Sequence, residues 1–339
     1  MLRNYYLNSA ANRLAHSTGY QMSRLKMGGY GLTEPEISMP ETTDDDPRCG
    51  HFITRSLGRL KKGDPVIIGF CCDEGVRRNN GRPGAAKAPA LIRNAFYRLT
   101  PDPLRFYAFT HWLKRTHDAG DIHAGQDMEQ AQEQLGRLVG DLLTAGACPI
   151  VIGGGHETTW GHFLGYVNAG KKVTILNVDA HPDVREKKDG KGHSGSVFRQ
   201  ALDHESGLCT GYRVAGLQPQ SMAKSHLDFL KNRNAMVRYA YALNREAFDT
   251  LLEDSDAGIL MSMDMDAVDS AFAPGVSAPS SSGISPSIWL HSAYSAGRNG
   301  NVRSFDLVEV NPEHDVDNRT VRLAALTLWQ FIRGRAEGT

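Results

Sequence analysis

Three stretches of this chain end an apolar run in side chains that bind metal ions. Lys172 to Asp183 reads KVTILNVDAHPD, a strand-like run closing on Asp179, His181 and Asp183. Alternate residues of an extended chain face one side, so these three, spaced two apart, can converge on one point. That point lies just past a strand's carboxyl end, where open parallel α/β sheets bind their ligands. A second apolar run, from Ile259, ends in Asp264 and Asp266 with the same spacing. A third, CPIVIGGGHE, runs to Ile152, through three glycines, to His156 at the mouth of a helix. Taken singly, the first stretch could be a solvated acidic turn and His156 a structural histidine. Their recurrence at three strand ends argues for one shared centre.

Pooled, these residues are four aspartates (Asp179, Asp183, Asp264, Asp266) and two histidines (His156, His181). Four carboxylates balance two divalent cations, and aspartates that bridge can hold such a pair about 3.5–4 Å apart. Oxygen-rich ligation with two imidazoles favours manganese over zinc, which prefers more nitrogen or sulfur. Two ions flanking one water acidify it and yield a nucleophile near neutral pH.

The elements that must carry these residues alternate between short apolar and longer amphipathic runs, the pattern of an α/β chain with a parallel sheet and crossover helices. Val66 to Phe70 reads as a strand and leads into a glycine-rich basic loop, with a helix from about Ala88. Arg77, Arg78 and Arg82 in that loop are either solvated or placed to hold carboxylates, which the guanidinium fork suits. Neither GxxxxGK[ST] nor GxGxxG is present, so the glycines are no phosphate cradle of those kinds. Phe106 to Phe109 is predicted as a strand, His117 to Ile122 as a turn, and Asp127 to Leu143 as a helix. A polar loop after Asp183 ends at His193 and could deliver it to a substrate, with a helix from about Ser196. Further strands are predicted at Tyr212 to Leu217, Ala235 to Tyr241 and Val302 to Val310, the last carrying Glu309. Helices are predicted at Arg245 to Leu252 and Thr320 to Arg333.

The chain has 339 residues, a length at which α/β proteins often form one domain around one sheet. Residues 48–339 are expected to form that domain, and residues 1–47 an N-terminal arm and acidic linker. Lysine plus arginine and aspartate plus glutamate each number 38, so no net field favours nucleic acid or an anionic membrane. A small-molecule partner is expected instead. Cys49, Cys71, Cys72, Cys148 and Cys209 form no CxxC pair and read as thiols in a reducing compartment. No apolar run is long enough to span a membrane, and a cytoplasmic location is expected. Residues 1–33 are basic without an acid, a flavour of organellar import that competes with an arm packing on the domain or a neighbouring subunit.

From about Gly63 to Arg333 the chain resembles the ureohydrolase family of arginase and agmatinase, and within it the formiminoglutamases. The stretches that carry the resemblance are GGGHE (153–157), NVDAHPD (177–183), SMDMDAVDSAFAPGVSAP (262–279) and EVNPEHDVDNRT (309–320). The resemblance implies a three-layer αβα, arginase-like fold around a central, mainly parallel sheet, with two Mn2+ per subunit and trimeric or hexameric assembly. It implies that His156, Asp179, Asp183 and Asp264 hold one ion and Asp179, His181, Asp264 and Asp266 the other, with Asp179 and Asp264 bridging. It implies hydrolysis of N-formimino-L-glutamate to L-glutamate and formamide. Gly155 and Glu157, where arginases and agmatinases usually read GGDHS, and the stretch from Asp73 to Arg93 favour this substrate. Its two carboxylates suit an arginine-bearing loop, with Arg77, Arg78, Arg82 and, behind them, Arg199 as candidates. Glu309 resembles the glutamate that orients the cationic amidine or guanidine, and His193 the proton-shuttling histidine. Asp183 counts both as a ligand and, with His193 and Glu309, as a catalytic group. Ser270 departs from the proline common in relatives, at a loop position and not a ligand. An agmatinase or guanidinobutyrase releasing urea, a one-ion zinc amidohydrolase and an inactive binding protein remain as rival readings.

Overall fold

The structure, a computed structural model, describes residues 29–39, 41–43, 45–58, 60–253 and 257–338. Most of the basic stretch read as import-like lies outside them. Nine strands among the described residues form one sheet in the order β1, β3, β2, β4, β9, β8, β5, β6, β7. They are β1 (Leu32–Thr33), β2 (Pro65–Cys71), β3 (His117–His123), β4 (Cys148–Gly153), β5 (Val173–Val178), β6 (Cys209–Leu217), β7 (Met236–Tyr239), β8 (Gly258–Asp264) and β9 (Val302–Val308). Every neighbouring pair is parallel except β1 with β3. β1 comes from the end of the stretch expected as N-terminal arm, and extends the sheet at one edge.

Alternation along the strands sends side chains to two apolar layers, as a sheet buried on both faces requires. In β2, Ile67 joins the layer covered by the helices Ala88–Tyr97, Phe106–Arg115, Pro286–Arg298 and Arg319–Glu337. Val66, Ile68 and Phe70 join the opposite layer, under the helices Met128–Thr144 and Thr158–Asn168. The result is helix, sheet, helix in three layers. β4 and β5 are buried along their whole length. The chain builds β2 to β4, steps over two places to β5, and later fills the gap with β8 and β9. The carboxyl ends of β4, β9, β8 and β5 are thereby neighbours at the point where the winding reverses, the usual place for a ligand crevice.

Two expectations are corrected. Phe106 to Phe109 is not a strand but the first turn of the helix Phe106–Arg115. Its apolar spacing continues through Trp112 and Leu113, which bury with Phe109 while Tyr107 faces outward, the stripe of a helix. His117 to Ile122 is not a turn but most of β3. Asp118 and Asp121 make it look like a loop, yet both are buried against the equally buried Arg93, at 2.9 and 2.7 Å. Among the described residues no helix is long and apolar enough to cross a membrane, and all five cysteines are free thiols.

Candidate metal centre

Each strand tip is shaped by its own backbone before any ion is considered. After β5, the Asp179 Oδ1 accepts the amide of His181 at 2.6 Å, and its Oδ2 accepts the Asn177 Nδ2 at 2.9 Å. After β8, the Asp264 Oδ1 accepts the amide of Asp266 at 2.8 Å. Aspartate commonly bonds the backbone two residues on, so the spacing that aligns the ligands also makes the turns that hold them. Asp183 adopts a left-handed backbone, φ 43°, and its carbonyl accepts the Phe198 amide at 3.1 Å. After β4, a side chain at Gly154 would meet the Cys72 carbonyl at 1.9 Å, so only glycine lets this tip lie against the end of β2.

These tips meet. The His156 Nδ1 lies 2.9 Å from Asp264 Oδ2, 3.1 Å from Asp183 Oδ2 and 3.3 Å from Asp179 Oδ2. The His181 Nδ1 lies 3.0 Å from Asp266 Oδ2 and 3.6 Å from Asp179 Oδ1. Two ligand groups result, His156 with Asp179, Asp183 and Asp264, and His181 with Asp179 and Asp266. Asp179 belongs to both, one oxygen turned to each. Asp264 groups with the first alone. A third group, Cys71, Asp121 and His123, is possible by distance, but Arg93 already neutralises Asp121.

A buried relay sets the His156 tautomer. Ser262 donates to the Asp306 Oδ1 at 2.6 Å, and the other Asp306 oxygen faces the His162 Nδ1 at 2.7 Å. The Ser262 hydroxyl, its proton so committed, meets the His156 Nε2 at 3.0 Å and accepts from it. The Nδ1 lone pair is left pointing at three carboxylates with no hydrogen-bond partner. Such a pocket demands positive charge. Without a metal, protons supply it: despite burial, Asp179, Asp183 and Asp264 hold His156 well above its ordinary value. His181 is pushed up to about 12, chiefly by Asp266. Burial together with the neighbouring Asp266 and Asp179 carboxylates lifts Asp264. Cations bound there would displace such protons and relieve the crowded carboxylates, which is how metal affinity couples to pH. The donor set therefore fits a pair of divalent ions.

Around the cluster stand the other expected residues. Glu309, with φ 65°, accepts the His156 amide on Oε1 at 2.7 Å, and burial, with Glu157 nearby, raises its carboxyl well above the ordinary value. His193 is buried, its Nε2 on the Glu186 carbonyl at 3.0 Å and its Nδ1 without a partner. Burial lowers it below the ordinary imidazole value, so it stands neutral with Nδ1 free to accept a proton.

The four arginines singled out in the sequence are all engaged. Arg77 pairs with Glu74 at 2.6 Å and faces solvent. Arg78 spans Glu74, Glu129 and the Gly192 carbonyl at 3.2, 2.5 and 3.2 Å, beside His193. Arg82 donates to the carbonyls of Val276 and Ser277. Arg199 pairs with Glu186 and Asp203 over the Phe229 ring. The structure draws attention to a fifth, Arg185, which is exposed and donates to the Asn79 Oδ1 at 3.1 Å. It is the next residue in the alternation of Asp179, His181 and Asp183, a signal present in the sequence and unused.

Residues 63–333 match the model of the arginase family. A formimidoylglutamase of Geobacillus kaustophilus is 38% identical over 285 residues, covering 80% of this chain and 84% of its own. One from Rhodococcus opacus is 33% identical over 315 residues, covering 88% and 94%. Among solved structures, Trypanosoma cruzi formiminoglutamase with Mn2+ superposes with a TM-score of 0.79 at 31% identity, over 87% of this chain and all of its own. The agmatine ureohydrolase of Thermoplasma volcanium gives 0.68 at 26% identity, over 81% and 90%. The chain belongs to the arginase family.

Proposed function

We propose that this chain hydrolyses N-formimino-L-glutamate to L-glutamate and formamide at a centre of two Mn2+. The observation that carries the reading is the pair of ligand groups sharing Asp179 around two imidazole lone pairs. His156, Asp179, Asp183 and Asp264 would hold one ion, and Asp179, His181, Asp264 and Asp266 the other. Bound there, two divalent cations acidify a water shared between them and supply the nucleophile near neutral pH.

The chain's own groups do the rest. Glu309, whose carboxyl is raised by burial, regains its charge beside a cationic amidine and orients that carbon for attack. His193 takes a proton on Nδ1 and returns it to the leaving nitrogen, so that glutamate departs as the free amine. Arg78, at the end of the helix Glu74–Arg78, and Arg185, on the loop after Asp183, meet the glutamate carboxylates at the mouth; Arg77, Arg82 and Arg199 stand as outer candidates. Residues 48–339 act as one catalytic unit, with residues 1–47 as its arm and linker, and the chain assembles as a trimer or hexamer. Light scattering checks the assembly.

The deciding experiment incubates Mn2+-loaded protein with formiminoglutamate, agmatine and guanidinobutyrate and identifies products. Formamide from the first alone is expected. Urea from either guanidine would overturn the substrate in favour of an agmatinase-type reaction.

A further inference from the structure

Glu157 is a buried carboxyl with no part in the reaction proposed above. We infer that it is a positioning residue: it pins the segment 74–82, which carries Arg77, Arg78 and Asn79, to the tip of β4, and thereby fixes one wall of the substrate mouth.

The pin is a hydrogen bond from the Gly75 amide to the Glu157 Oε1 at 2.9 Å, across 82 residues of chain. Steric evidence points the same way from two sides. A Cβ on Gly75 would lie 2.5 Å from the Glu157 Oε2, and a Cβ on Gly155 would lie 2.2 Å from the same atom. Both positions are thus glycine because the carboxyl fills the room their side chains would need. The Cys72 thiol lies against it as well. On its far side Glu157 is held by its own carbonyl, which accepts the Gln132 Nε2 at 2.8 Å. The carboxyl is therefore anchored to β4 and the helix Met128–Thr144, and it reaches out to a short helix, Glu74–Arg78, that has little core of its own.

What that helix touches next is the mouth. Arg78 donates to the Gly192 carbonyl, and the Asn79 Nδ2 to the Ser194 Oγ at 3.1 Å, either side of His193. Asn79 also accepts from Arg185. Glu157, Gln132 and His193 all line one cavity of about 100 Å3 between these layers. Releasing Gly75 would let Arg78 and Asn79 drift relative to the 185–194 loop, while the ligand groups, each tied to its own strand tip, stay in place. Substrate binding should suffer and metal binding should not.

The inference rests on the proposed reaction only for its kinetic readout, so the test has a second one. In the Mn2+-loaded full chain, Glu157→Ala should speed amide hydrogen exchange in residues 74–82 about tenfold, with 177–183 unchanged and two metals retained. KM for formiminoglutamate should rise about tenfold with kcat within about threefold, the mark of lost substrate positioning. Glu157→Gln, which keeps an acceptor for Gly75, should restore both values. Gly155→Ala, which pushes on the carboxyl from the other side, should reproduce the defect. Should Glu157→Ala not fold, Glu157→Asp, one methylene too short for Gly75, takes its place. Unchanged exchange in 74–82, loss of metal, or failure of Glu157→Gln to rescue would each overturn the inference. If the wild type hydrolyses no amidine, the exchange measurement still decides it, and the proposed reaction alone has failed.

Discussion

The metal cradle and the substrate mouth share a rim but are built in opposite ways. The cradle's ligands follow β4, β5 and β8, strands buried almost throughout, and the turns that present Asp179 and Asp264 are closed by bonds two residues long, to the amides of His181 and Asp266. The mouth is made of the short helix Glu74–Arg78 and loops, cross-linked to segments far along the chain, as Arg78 to Glu129, 51 residues away, and Arg82 to Ser277, 195 residues away. A site on strand ends is rigid because sheet packing fixes it; a site on loops is as rigid as its cross-links. Mutations should therefore sort into those that empty the cradle and those that loosen the mouth.

The largest effect is expected from Asp264→Ala. It removes a carboxylate 2.9 Å from the His156 Nδ1 and should leave fewer than two Mn2+ per chain with activity near background. Elemental analysis showing full occupancy would contradict the ligand assignment.

The same contrast explains how much could be read beforehand. The cradle was legible because its determinants are local: period-two spacing after apolar runs is visible in a dozen residues. His156 was legible as a strand-end residue, but the relay through Ser262, Asp306 and His162 was not, since it joins β8, β9 and a helix that no spacing relates. At the mouth the arginine-rich loop was visible and its pairings were not. Glu129, which holds Arg78, lies on a helix whose charged face reads as solvated. β3 was missed for a related reason, its aspartates being neutralised by Arg93 from a different element. The helix Phe106–Arg115 was missed because four residues of its apolar stripe are too few to separate a strand from a helix.

A matched pair of substitutions sharpens the comparison. Ser262→Ala removes the acceptor that orients His156 and should weaken metal binding about 10- to 100-fold, as loss of an outer hydrogen bond to a ligand does. KM measured at saturating Mn2+ should barely move. Arg185→Ala should do the reverse: KM up about tenfold or more, the cost of a charged hydrogen bond to a carboxylate, with metal affinity unchanged. Metal titration by calorimetry and steady-state kinetics on both proteins separate the two. If Arg185→Ala lowered metal affinity instead, the cradle and mouth would not be independent.

The smallest effect concerns His193, where the mouth meets the cradle. Burial lowers its folded pKa below the unfolded value of about 6.5. The unfolded chain then binds more protons than the folded one as pH falls, so the neutral imidazole favours the fold. That contribution is fully present above the unfolded pKa and is lost as pH drops through the lower folded one. In chelator-treated protein, where metal release in acid cannot contribute, wild type and His193→Gln should differ in how melting temperature responds between pH 8 and pH 5. The variant should lose less on acidification, because it has no buried imidazole to protonate. Identical slopes would mean that His193 is hydrated in solution, and the neutral Nδ1 acceptor assigned to it would lose its physical basis.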